Sequence, residues 1–204
     1  MSAFEFLYDF GSPNAYLVHK VVPGVEERLG TKVVYSPVLL GGIFKATGNA
    51  SPAVTLAGIK NKGEYQGIET QRFVKKYGLA SSYAPNPHFP VNTLTLMRIA
   101  TAVRDEDVYQ PVIECFFTAM WEDAKKMDEP DVIADALNQA GLPAAELMDL
   151  STVPENKQAL IQLTETAVSR GAFGAPSFLV GEELFFGKDK LRDAEEEYVE
   201  QKGS

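Results

Sequence analysis

Apolar positions along the chain follow two rhythms, and the order of those rhythms predicts the fold. Phe4 to Tyr8 is a short run rich in the aromatic residues that favour strands. The stretch after it carries Tyr16, Val18, Val21, Val22 and Val25 and reads as a helix that Gly30 can end. Between the two lies Asp9-Phe10-Gly11-Ser12-Pro13-Asn14-Ala15-Tyr16, a strand-to-helix turn. Ser12 falls at its N-cap, and Pro13 falls at the first helical position, where the N–H it lacks would have gone unpaired. Lys32 to Leu40, with Val33, Val34, Tyr35, Val38 and Leu39, reads as a second strand. The opening is therefore βαβ, with parallel strands and a right-handed crossover.

From Gly41 to Pro52 the periodicity lapses, which predicts a loop or broken helix with Lys45 and Asn49 as its polar handles. Helices are expected over Glu64–Tyr77, Thr93–Arg104, Tyr109–Lys126 and Pro130–Ala140, with the proline-punctuated loop Ser81–Pro90 among them. Thr152 and Glu155 match a capping box that opens a long helix running to Arg170. Ser177-Phe178-Leu179-Val180, Gly181-Glu182-Glu183 and Leu184-Phe185-Phe186 then form a hairpin pattern, and Lys188-Asp189-Lys190-Leu191 opens a final acidic helix. The order is β-α-β, a helical stretch, then α-β-β-α.

Composition narrows the function. The chain has 204 residues, a net charge of −9 and 45% hydrophobic residues, enough for a large core but with no basic cluster to attract nucleic acid or an anionic membrane. With no long apolar run and no basic-then-apolar leader, it reads as a soluble cytoplasmic protein. The lone cysteine, Cys115, excludes an intrachain disulfide and a cysteine metal cluster, and its apolar neighbours suggest an inert thiol on a helix face. His19 and His88 are too few and too scattered for a metal site. Ser12 has no Gly-x-Ser-x-Gly setting, which argues against a serine hydrolase. Its place at the start of the first helix is instead one where free N–H groups and the helix dipole favour an anion.

Four strings occur in a telling order: Asp9-Phe10-Gly11-Ser12-Pro13, Thr47-Gly48-Asn49, Phe89-Pro90-Val91-Asn92-Thr93 and Gly171-Ala172-Phe173-Gly174-Ala175-Pro176-Ser177-Phe178. With them the whole chain resembles the 2-hydroxychromene-2-carboxylate isomerases and kappa-class glutathione transferases of the DsbA-like superfamily. The resemblance implies an α/β thioredoxin fold over residues 1–42 and 153–204, interrupted by an all-helical insertion domain over 43–152. Where redox members of that superfamily carry Cys-x-x-Cys, this chain has Ser12-Pro13-Asn14-Ala15, so it cannot itself exchange dithiols and disulfides.

The thiol must then come from outside, and the resemblance implies glutathione, its sulfur beside the Ser12 hydroxyl. By the same resemblance Pro176 is the cis-proline that leaves the Ala175 backbone free to pair with the tripeptide. Asp189, following Phe186 and Lys188 in the same cofactor-binding stretch, holds the γ-glutamyl amino group. A carboxylate at a helix N-terminus could equally serve the helix dipole, and both roles can hold together. Lys45, Asn49 and Tyr83 are implied near an aromatic carboxylate substrate. The implied reaction is isomerisation of a chromene-type carboxylate by addition of the thiolate, bond rotation and expulsion of glutathione, which acts as a cofactor. The alternatives are a kappa-type transferase that releases a stable conjugate and a non-catalytic glutathione-binding module. A homodimer is implied as well.

Overall fold

The computed structural model describes residues 3–203. The elements run β1 (Phe4–Tyr8), α1 (Pro13–Leu29), β2 (Val34–Pro37), α2 (Leu40–Thr47), α3 (Pro52–Thr55), α4 (Lys62–Lys76), α5 (Leu94–Ala102), α6 (Tyr109–Trp121), α7 (Pro130–Gln139), α8 (Ala144–Leu150), α9 (Pro154–Ser169), β3 (Ser177–Val180), β4 (Glu183–Phe186) and α10 (Leu191–Gly203), with a 3-10 turn at Lys188–Lys190. The sheet order is β2-β1-β3-β4. β1 pairs parallel with β2 and antiparallel with β3, which pairs antiparallel with β4. This is the expected thioredoxin-like α/β arrangement, with a run of helices between its two halves.

Alternation along β1 divides the core. Phe4, Phe6 and Tyr8 point to one face, where Phe6 lies 5.8 Å from Phe178 and Tyr8 lies 5.8 Å from Phe117 of α6. Leu7 points to the other, into a smaller cluster with Val38, Ile43, Ala167, Ala172 and Leu179. Phe10, just past the strand, is fully buried with its ring 5.3 Å from Phe116 and 4.8 Å from Phe117. Sheet and inserted helices thus share one continuous core. At the far end of α1 the Gly30 backbone is left-handed, with φ 60°, and its N–H donates to Glu26. Among the described residues no helix is long and apolar enough to cross a membrane.

Of the two forms expected for residues 41–52 the structure has the broken helix: α2 ends at a left-handed Gly48 and α3 resumes at Pro52, with α2 receiving its N-terminal acceptor from Asp9, far away in sequence. Two expectations are corrected. Thr152 does not cap α9: its hydroxyl donates to the Asp149 carbonyl at 2.8 Å, and Val153 occupies the cap without a side-chain bond. The helix from Tyr109 stops at Trp121 rather than Lys126. The seven residues of α8 had no counterpart in the periodicity.

Candidate functional site

The Ser12 turn is tied at most of its polar groups. Ser12 is 5% exposed, its Oγ accepts from the Ala15 N–H at 3.2 Å, and its own N–H donates to the Asp9 carbonyl at 3.0 Å. The expected N-cap is present. Pro13 has no N–H and the Tyr16 N–H goes to the Ser12 carbonyl, so the Asn14 N–H is the first-turn donor left for a ligand among the described residues. The Phe10 carbonyl accepts from the Trp121 indole at 2.7 Å. Asp9, 1% exposed, accepts from the Gly11 N–H at 2.8 Å and the Thr93 hydroxyl at 2.7 Å through Oδ1, and from the Leu40 N–H at 2.8 Å through Oδ2. Burial pushes its carboxyl above the ordinary value, while those three donors pull the other way.

Opposite this turn stands the loop before β3. The Ala175–Pro176 peptide bond is cis, as expected, and the Phe89–Pro90 bond is cis as well. The Ser12 hydroxyl donates to the Ala175 carbonyl at 3.1 Å, bringing together two residues 163 positions apart. The Gly187 N–H closes on the Pro176 carbonyl at 2.9 Å, which sets the 3-10 turn beside the loop. There the Lys188 side chain is buried, with its Nζ 2.8 and 2.9 Å from the two Asp189 oxygens and 5.5 Å from the centre of the Phe73 ring on α4. Asp189 is exposed, its carboxylate turned to its own neighbour. Phe173 and Phe186, each 41% exposed, pack with ring centres 4.5 Å apart, and Gly174 leaves the room this needs: a Cβ there would come within 2.7 Å of the Phe186 ring.

The substrate-side residues are differently placed. The Asn49 amide donates to the Phe173 carbonyl at 2.9 Å, so this side chain fastens the end of α2 to the cis-proline loop. Lys45 is exposed on α2, and Tyr83 stacks on Tyr16 of α1 with ring centres 5.9 Å apart. Sequence reasoning gave no role to Asp9, Thr93 or Trp121, although the first two stand in the quoted strings and the third is the single tryptophan.

Elsewhere, Cys115 is half-buried, and burial pushes its thiol up to about 11, away from reactivity. A cavity of about 690 Å³ opens between α1, β2 and α6, lined by His19, Lys20, Tyr35 and Glu114 among others and by none of the residues around Ser12. No cluster of metal-ligating side chains occurs among the described residues. The Ser12 turn and the loop facing it therefore offer a hydroxyl, a helix N-terminus and a backbone carbonyl, with no thiol of their own.

Comparisons with known proteins agree with this fold. The family model of the DSBA-like thioredoxin domain matches residues 4–199. The chain is 26% identical to glutathione S-transferase kappa 1 of Rattus norvegicus, over 92% of this chain and 86% of that one. It is 22% identical to 2-hydroxychromene-2-carboxylate isomerase of Pseudomonas putida, over 92% of this chain and 89% of that one. A solved 2-hydroxychromene-2-carboxylate isomerase superposes with a TM-score of 0.77 at 22% identity, covering 98% of this chain and 95% of the other. Its relatives are thus isomerases and glutathione transferases, and the chain belongs to the family of DSBA-like thioredoxin domains.

Proposed function

We propose that the protein is a glutathione-dependent isomerase acting on an aromatic, chromene-type carboxylate. The observation that carries this reading is the bond from the Ser12 hydroxyl to the Ala175 carbonyl beside the cis-proline. A serine at that helix start, with alanine at position 15, cannot perform thiol exchange, yet its hydroxyl and the helix start are donors of the kind that suit a thiolate. Glutathione, when bound, supplies the thiolate that adds to a substrate carbon and is later expelled.

The chain's own residues do the rest. Ser12 turns its hydroxyl proton from the Ala175 carbonyl toward the sulfur, and the carbonyl so released accepts a peptide N–H of the ligand. The α1 N-terminus adds its dipole and the Asn14 N–H, which favour an anion there. A free thiol titrates at about 8.5, and comparable helix N-termini lower protein thiols to about 3.5–7.5. The Lys188–Asp189 pair presents both signs of charge to a zwitterionic γ-glutamyl end, with Asp189 as the exposed partner. The exposed Phe173 and Phe186 rings, with Lys45 on α2 and Tyr83 on the insertion side, suit a flat carboxylate substrate.

The test is turnover of 2-hydroxychromene-2-carboxylate with glutathione, followed by mass analysis. Isomerisation leaves the substrate mass unchanged and glutathione unconsumed. A kappa-type transferase, the second reading, is favoured by the relative of that name and would add the tripeptide's mass. Glutathione binding with neither product would leave a binding module.

A further inference from the structure

We infer that Asp9 is a positioning residue for Ser12, fixing at once the hydroxyl and the carbonyl it faces; this rests on the thiolate-stabilising reading of Ser12. One carboxylate joins three segments that are distant in sequence. Through Oδ1 it binds the Gly11 N–H within the turn and the Thr93 hydroxyl at the start of α5. Through Oδ2 it binds the Leu40 N–H, the first of α2, whose own cap residue Leu39 offers no side-chain acceptor. Asp9 therefore caps α2 in place of a local residue, and its negative charge faces that helix's N-terminus.

From there the connection closes on itself. α2 ends at Thr47, and two residues on, Asn49 holds the Phe173 carbonyl at 2.9 Å, just before Ala175. Ala175 in turn accepts from Ser12, whose N–H is bound to the Asp9 backbone at 3.0 Å. Donor and acceptor of the Ser12–Ala175 bond are thus both placed from Asp9, one through the turn and the other through α2. The fit around the carboxylate is close. A Cβ on Gly11 would stand 3.3 Å from Asp9 Oδ1 and 3.3 Å from the Thr93 methyl, so the turn has little room to relax. An asparagine at position 9 would keep one acceptor and turn an NH2 group against the Leu40 N–H or the other donors, leaving a buried donor unpaired.

The test uses Asp9→Asn, Thr93→Val and Thr93→Ser in the full chain, with two readouts. The first is amide hydrogen exchange without ligand, comparing Gly11, Ala15 and Leu40 with Phe6 and Leu7 of β1. The second is the ultraviolet thiolate absorbance of added glutathione at neutral pH. For Asp9→Asn, exchange at Gly11, Ala15 and Leu40 rises at least about tenfold over that of β1, as expected when a charge-assisted bond is lost. The bound thiolate signal falls with it. Thr93→Val moves both readouts the same way by less, and Thr93→Ser restores them, which keeps the test decisive if Asp9→Asn does not fold. Exchange that rises equally in β1, or a thiolate signal unchanged per folded molecule, would overturn the positioning role. If the wild type shows no bound thiolate, the proposed function falls, while the exchange pattern still decides what Asp9 positions.

Discussion

The turn at Ser12 and the stretch from Ser51 to Lys76 are linked through the cis-proline loop and Lys188, yet they are held by opposite means. In the turn, Asp9, Phe10 and Ser12 are all buried, and their polar groups are bonded to α2, α5, α6 and the loop before β3. In the other stretch no residue from 44 to 72 is buried, and Val54, Ile59, Tyr65 and Ile68 stand exposed. Its anchor is Phe73, the one buried residue of α4, beneath the Lys188 ammonium. The turn is preset by many bonds, and the other stretch is fastened only near its end, by Phe73 with Val74 beside it. The preset side suits chemistry that needs donors in place before reaction, and the lightly fastened side suits admission of ligands of varied shape.

Ser12→Ala is the strongest attempt to break this contrast. Removing a preorganised donor should cut turnover roughly 10²-fold near neutral pH, by analogy with oxyanion-hole donors, with partial recovery as pH rises. Folding should survive, since loss of an N-cap costs about 0.5–2 kcal/mol. Thiolate absorbance of the glutathione complex against pH is the measurement; coincident curves for the two proteins would reduce Ser12 to a helix cap.

Asp189→Asn comes next, at the junction of the two regions. Glutathione affinity should fall about tenfold, as expected for loss of a charge-assisted bond to an amino group, while the melting temperature falls by less, because the asparagine oxygen can still accept from the buried Lys188. Calorimetric titration and thermal melts separate the two effects. A large loss of stability with affinity intact would assign the residue to Lys188 alone.

Phe73→Ala sharpens the contrast from the other side. A core Phe→Ala substitution costs about 3–5 kcal/mol, but here the loss should stay local. Limited proteolysis between residues 50 and 72 should accelerate severalfold while β1 amides keep their protection. Global unfolding would mean that the stretch is not lightly fastened.

The smallest effect is expected outside both regions, at Glu114. His19 and then Lys20 hold its carboxyl down to about 2, against an ordinary 4.5, so it stabilises the native state above pH 4.5 and that contribution fades as pH falls from about 4.5 toward 2. The side chain is 53% exposed, and solvent screening limits the effect to under about 1 kcal/mol. In Glu114→Gln, urea midpoints should fall slightly at neutral pH and converge with wild type near pH 2. A difference that persists at low pH would point to packing instead of charge.

What could be read from the sequence was what is encoded locally. Aromatic alternation in Phe4–Tyr8 and the Ser12-Pro13 pair specify a strand and a capped helix within a few residues, and both stand as expected. The start of α2 could not be read, because Gly41 and Gly42 dilute the periodicity and the acceptor comes from Asp9. Thr152 misled for a related reason: the capping-box spacing is present, but the hydroxyl turns back to Asp149. The site was legible as strings, through Ser12 and Ala175-Pro176, while the bonds that join them became visible only in three dimensions. Asn49 illustrates the difference: the resemblance implies a substrate contact for it, and the structure adds a bond from its amide to the Phe173 carbonyl.

The register of β1 has a consequence for synthesis. Its parallel partner β2 follows almost at once, but its antiparallel partner pairs Phe4 with Val180, at the opposite end of the chain. A chain emerging from the ribosome can therefore bury one edge of β1 early and must hold the other open until Val180 has been made. Ser12 meets Ala175 only at that same late moment. Chains stalled before β3 thus carry the helix start and its hydroxyl without the carbonyl it faces, and assembly of the proposed ligand site coincides with closure of the sheet.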